Sequence, residues 1–150
     1  MKEKIETFSL DESLGFWLYR SHIQASADLR QAFQDAGHDL TPEQWAVLMR
    51  LREREGLNQS QLGEKTYKDR HNITRILKQL DKRGHIEKLH DKKDKRAFRV
   101  YLSPVGRDLL KKLKPIVLKH RDRVCKGFSK DDLLKIRDYL RHIVRNLRRS

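Results

Sequence analysis

Six consecutive charged residues, Asp91 to Arg96 in DKKDKRAFRVYLS, lead into a segment that alternates like a strand. Phe98, Val100 and Leu102 share one face of it, and Arg99 and Tyr101 the other. A run of this kind resists burial, and with no glycine between Asp91 and Ala97 it does not suit a tight two-residue hairpin turn. The connection is therefore a long polar loop that projects into solvent. Its partner lies outside the chain.

What precedes the loop restricts that partner further. Asp69 is a good N-cap for the helix DRHNITRILKQLDKRG, which Gly84 ends with Lys82 and Arg83 in its last turn. Ile73, Ile76, Leu77 and Leu80 fall at i, i+3, i+4, i+7 and make one buried stripe. At about 100° per residue, the opposite face carries His71, Arg75, Lys78 and Lys82, flanked by Thr74 and Gln79. Before this helix, Asn58 and Gln61 form a capping-box pattern that opens the short helix QSQLGEKT. After it come HIEKLH, the charged loop and FRVYL. Helix, helix, strand, basic loop and strand follow in the order of a winged helix-turn-helix. Lys92, Lys93, Lys95 and Arg96 then sit on a wing that reaches DNA backbone or minor groove while the helix faces the major groove. The alternatives are a solvated helix face and a merely soluble hairpin.

Composition agrees with a polyanionic partner. Lys and Arg number 35 against 21 Asp and Glu, a net charge of +14, which favours nucleic acid first and an anionic membrane second. The charge is uneven: −3 over residues 1–62, +7 over 63–102 and +10 over 103–150. At 150 residues the chain reads as a single domain, 1–150, yet 37% hydrophobic against 37% charged is lean for a monomer. A core shared between copies would remedy this.

The flanking segments supply such a core. Residues 10–36 read as a helix that Gly37 stops, with Leu10, Leu14, Trp17, Leu18, Ala25, Leu29 and Phe33 mostly at three- and four-residue spacings. Thr41 and Pro42 open another helix, to about Glu55. From Ser103 and Pro104 a helix carries Leu109, Leu113, Ile116 and Val117, and Pro115 is expected to kink or interrupt it. Ser129 and Asp132 cap a last helix in which Leu133, Ile136, Leu140, Ile143 and Leu147 repeat at 3, 4, 3, 4, a coiled-coil-like seam. Packing within the chain is the ordinary explanation for one such stripe. With so small a lobe to pack on, an intertwined homodimer through 10–37 and 104–148, around a DNA-binding lobe at 42–102, is the favoured one. The fold class expected is mainly α with a small β-hairpin wing.

Other classes find little support. No apolar run approaches a transmembrane length, and MKEKIETFSLDES lacks the apolar centre and cleavage site of a signal peptide, so no membrane partner and a cytoplasmic location are expected. A single cysteine, Cys125, leaves no internal disulfide or cysteine-based zinc cluster. The seven His show no metal-ligand spacing, and neither a phosphate loop nor GxSxG is present. No metal, cofactor or catalytic residue is expected; the chain reads as no enzyme.

The stretch LGEKTYKDRHNITRILKQLDKRGHIEKLHDKKDKRAFRVYLSPVGRDLL resembles the heart of the MarR family, the multiple-antibiotic-resistance-type transcriptional regulators. LGEK, the ITR of the recognition helix, LxKRGxIE, the DxxDxR wing and LSxxGRxLL carry the likeness. It implies a homodimeric repressor on a pseudopalindromic operator of double-stranded DNA. By position, Arg70, His71, Asn72, Thr74, Arg75 and Lys78 would face the major groove, and Lys95 or Arg96 the minor groove. His71 and Asn72 replace a Ser-Thr pair common in the family, and Lys95 replaces an arginine, leaving Arg96 as the wing-tip candidate. The resemblance also implies a small aromatic or phenolic effector. Trp17, His22, Trp45 and Met49 are candidates to line its pocket, although aromatic residues at helical spacing are more often core. Cys125 reads as a buried, inert thiol. A general basic DNA- or RNA-binding protein without operator specificity is the alternative function.

Overall fold

A computed structural model describes residues 9–149. The opening segment inspected for a signal peptide lies, through residue 8, outside them. Among the described residues, six α-helices and three short strands follow in the order α1 (Leu14–Asp35), α2 (Pro42–Glu53), β1 (Leu57–Asn58), α3 (Gln59–Thr66), α4 (Arg70–Lys82), β2 (Ile86–His90), β3 (Phe98–Leu102), α5 (Pro104–Cys125) and α6 (Lys130–Asn146).

Caps set most of these boundaries. Thr41 and Gln44 close a reciprocal capping box ahead of α2, Asn58 and Gln61 do so for α3, and Ser129 and Asp132 for α6. Asp69 accepts from the Asn72 amide at 2.8 Å and opens α4. Gly84, at φ 75°, ends that helix in the left-handed region a β-carbon disfavours.

Three expectations need correction. The first helix starts at Leu14, not Leu10, because Ser13 caps it, and Leu10–Glu12 form a separate 3-10 turn closed by Ser13 N–H to the Leu10 carbonyl. The hairpin has a third strand: β1 pairs with β3, giving the antiparallel order β1-β3-β2 with Leu57 opposite Val100 and Ile86 opposite Leu102. Two residues are too short for any alternation to show. Finally, α5 is not interrupted at Pro115 but continues as one helix to Cys125. Pro115 and Lys111 both lie on the exposed side of α5, where water can hydrate a carbonyl that loses its amide partner.

The core belongs to the middle of the chain. Leu48 and Leu51 of α2, Leu62 of α3, Ile73, Ile76, Leu77 and Leu80 of α4, and Leu57 and Val100 of the sheet are all at most 1% exposed. Phe33 of α1 and Leu113 of α5 join the same cluster and tie the terminal helices to the lobe. At the junction, Gly106 lies so close under the β2 entry that a β-carbon there would overlap the His85 carbonyl oxygen. α6 has no buried residue. Cys125 is half-buried at the last residue of α5, more open than the sequence suggested. No described helix is long and apolar enough to cross a membrane.

Candidate nucleic-acid interface

Burying the Ile73 stripe turns the other side of α4 outward. Arg70, His71, Thr74, Arg75 and Lys78 are exposed, and Asn72 is partly buried. Several of these side chains are already oriented. The Thr74 hydroxyl donates to the Arg70 carbonyl at 2.6 Å and accepts from Gln59 Nε2 at 2.5 Å, which ties the start of α3 to α4. Asn72 Nδ2 donates to Asp69 Oδ2 at 3.2 Å. Arg75 keeps half its surface and lies 3.9 Å from Glu43 of α2. Gln79 turns inward instead of flanking the open face: its Oε1 accepts from Gln44 Nε2 at 2.7 Å.

The charged loop is exposed at Lys92, Lys93, Lys95 and Arg96 and ordered by its aspartates. Asp91 accepts from the Lys93 amide at 2.8 Å and from Arg99 Nε at 3.0 Å. The Lys93 amide first, and the Arg99 guanidinium second, hold the Asp91 carboxyl below the usual carboxylate range. Arg99 also donates to the Gly56 carbonyl at 3.3 Å, anchoring the wing to the α2–β1 turn. Asp94 accepts from the Arg96 amide at 3.0 Å, an Asx-turn that uses the Arg96 backbone and not its side chain. At the base of the loop, the His90 and Phe98 rings pack at a tilt with centroids 4.5 Å apart.

Between helix and wing lies a groove of about 590 Å³, lined among others by Asn58, Gln59, Lys68, Arg70, Lys88 and Arg96. Arg70 at the N-terminus of α4 and Arg96 on the wing are thus brought to the two sides of one cleft. Periodicity could not single out Gln59, Lys68, Lys88 or Glu43, since each faces the cleft or helix from another element. The turn before α4 is also unusual: Tyr67 is 78% exposed in the left-handed region, φ 56°.

The other candidate residues are dispersed. Trp17, whose Nε1 donates to the Asp11 carbonyl at 2.6 Å, and His22 are exposed on α1, whereas Trp45 and Met49 pack against the core from α2. None of the four lines the grooves described here. On α6, Leu133 and Ile143 are half-buried and Ile136 and Leu140 are exposed, as is Leu147 at its C-cap. Leu133, Ile136 and Leu140 floor a cleft of about 690 Å³ with Arg137, Arg141 and Arg145 on its walls. Among the described residues no cluster of His, Cys, Asp and Glu could hold a metal.

A short capped helix, an amphipathic helix with an open basic face and a cationic hairpin loop beside it define a winged helix-turn-helix DNA-binding lobe. Comparison with known proteins agrees. Residues 40–98 match the family model described as the MarR family. The HTH-type transcriptional regulator SarZ of Staphylococcus haemolyticus is 30% identical over 111 residues, 73% of each chain. A probable transcriptional regulator from Pseudomonas aeruginosa is 32% identical with a TM-score of 0.83, covering 90% of this chain and 99% of that one. The transcriptional repressor CouR, solved bound to a 23-mer DNA duplex, is 27% identical with a TM-score of 0.83 over 90% of this chain and 94% of its own. The chain belongs to the MarR family.

Proposed function

We propose that the protein is a homodimeric, sequence-specific repressor that sets two winged helix-turn-helix lobes on a pseudopalindromic operator. The observation that carries this reading is the cleft flanked by Arg70 of α4 and Arg96 of the wing. The open face of α4 offers Arg70, His71, Asn72, Thr74, Arg75 and Lys78 to base edges and phosphates, and Lys92, Lys93, Lys95 and Arg96 track the neighbouring backbone and minor groove.

Dimerisation is supported by apolar surface that the other described residues leave exposed. Leu10, Leu14, Trp17 and Ile23 on or before α1 and Ile136, Leu140, Val144 and Leu147 on or after α6 are each at least 40% exposed. Exposure on that scale marks an interaction face. The acidic Asp11 and Glu12 beside the first set complement the arginines beside the second.

Footprinting on the DNA upstream of the chain's own coding region tests the reading. A short two-fold-symmetric footprint is expected. Coverage without register would instead favour a general basic nucleic-acid binder. The reading places the protein in the cytoplasm, without catalysis of its own, and includes relief of binding by a small aromatic or phenolic ligand. A melting-temperature screen with aromatic acids, followed by operator release, checks that last element.

A further inference from the structure

One edge of the recognition helix faces α2 and the segment leading into it through three polar contacts in a row. Arg75, Gln79 and Arg83 stand at i, i+4 and i+8 of α4 and its cap. They meet, respectively, Glu43 at 3.9 Å, Gln44 at 2.7 Å and Asp39 at 3.2 Å. Gln44 is only 3% exposed and is itself part of the α2 capping box, so the middle contact is rigid. Glu43, its neighbour, is therefore delivered to Arg75 at a fixed place. Its other carboxylate oxygen lies 3.4 Å from Lys68 Nζ, in the turn before α4.

We propose that Glu43 is a positioning residue that determines DNA specificity by holding Arg75. The inference rests on the DNA-binding reading above and concerns which DNA the same surface prefers. At 3.9 Å the pair is a charge contact and not a hydrogen bond, so the donor fork of Arg75 stays available. An Arg75 that stays beside Glu43 can donate both N–H groups to a purine edge in the place where it is held. On DNA that lacks that base, Arg75 gains most by swinging to a phosphate, and it must then leave the carboxylate. Glu43 thus weakens binding to the wrong sequence more than binding to the right one. The carboxylate also opposes any register that brings a phosphate to its own position.

The test uses the full-length protein, the footprinted operator duplex and a shuffled duplex of equal length and composition, titrated across salt concentrations. Glu43→Gln should tighten binding to shuffled DNA by about two- to fivefold per half-site, the size of an exposed ion pair, and change operator affinity less. The salt dependence on shuffled DNA should steepen as Arg75 takes up a phosphate. Glu43→Asp retains the charge and shortens the reach, so it should behave like Glu43→Gln; wild-type behaviour would mean that charge alone acts, and would overturn the inference. In an Arg75→Ala background the effect of Glu43→Gln should vanish, and in Lys68→Met it should persist. The reverse pattern assigns the effect to Lys68 and overturns the role of Arg75. Equal tightening on both duplexes refutes positioning. Wild-type protein that does not distinguish the duplexes refutes operator recognition itself, a different failure that is seen before any variant is made.

Discussion

Two helices of this chain carry nearly the same apolar pattern and meet opposite fates. In α4, Ile73, Ile76, Leu77 and Leu80 at 3, 1, 3 spacing are at most 1% exposed. In α6, Ile136 and Leu140 of a 3, 4, 3, 4 seam are 40% and 42% exposed, and Leu147 after it is 74% exposed. Both helices are well capped, so local stability does not separate them. The lobe closes around α4 with α2, α3 and the sheet, whereas among the described residues α6 has no buried side chain. A stripe of leucines and isoleucines states that a surface will be covered. It does not state by which molecule.

The largest expected effect breaks this contrast directly. Leu77→Ala should destabilise the lobe by about 2 to 5 kcal/mol, as truncation in a closed core does. The double substitution Ile136→Glu, Leu140→Glu should leave the lobe's melting almost unchanged, convert a dimer to a monomer in sedimentation, and lower operator affinity by about 10² to 10⁴ through loss of the second half-site. A dimer that survives it would move the interface elsewhere.

Next in size is the joint between the two regions. Gly106→Ala places a methyl against the His85 carbonyl, a backbone atom that cannot move aside alone, and should cost about 1 to 3 kcal/mol of stability. Calorimetry checks this. A neutral result would show that α5 can shift on the lobe.

How far the sequence was readable follows the same division. The α4 stripe, the capping residues Asp69, Asn58 and Thr41, and the solvent-facing loop were legible because each depends on neighbours within a few residues. The strand Leu57–Asn58 was not, since its pairing with Val100 and Arg99 spans some forty residues and its own pattern is two residues long. Nor was the inward turn of Gln79. Its partner, Gln44, sits on another helix, and a glutamine on a helix flank looks alike whether it faces water or a neighbour. Trp17, His22, Trp45 and Met49 illustrate the converse: residue type suggested a common pocket, and the fold places two outside and two against the core.

Within the lobe, helix and wing should separate by kind of effect. Arg75→Ala should weaken operator binding by about 1 to 3 kcal/mol and flatten preference among operator variants, if its fork meets a purine edge. Equal loss on operator and random DNA would make it a phosphate anchor. Arg96→Ala should reduce the magnitude of the log K against log salt slope by about one per half-site and leave melting unchanged, because only the Arg96 backbone braces the loop. Asp91→Ala should disorder the wing instead, since Asp91 holds both the Lys93 amide and Arg99. An Arg96 variant that melts early with an unchanged slope would exchange those two roles.

The smallest expected effect is on pH, and it too distinguishes lobe from terminal helices. In the lobe, His85 keeps Nδ1 buried with no hydrogen-bond partner among the described residues, and burial first, Arg83 second, push its pKa down from 6.5. A lowered pKa means the unfolded chain binds the proton more readily. Stability from the neutral imidazole is therefore complete above about pH 6.5 and declines as pH falls through the window below it. Between α1 and α5, Asp28 accepts from Arg123 at 2.7 Å and from His120 at 2.7 Å, and Arg123 first, His120 second, hold its carboxyl below 3.8. Its contribution is present above about pH 4 and lost only in stronger acid, and being exposed and screened it is small. Mild acidification from pH 7.5 to 5.5 should thus loosen the His85 joint while the Asp28 clamp persists. His85→Gln should flatten the melting temperature against pH over that interval, and Asp28→Asn should leave the slope there unchanged. A slope that follows Asp28 and ignores His85 would place the acid-sensitive contact in the terminal helices.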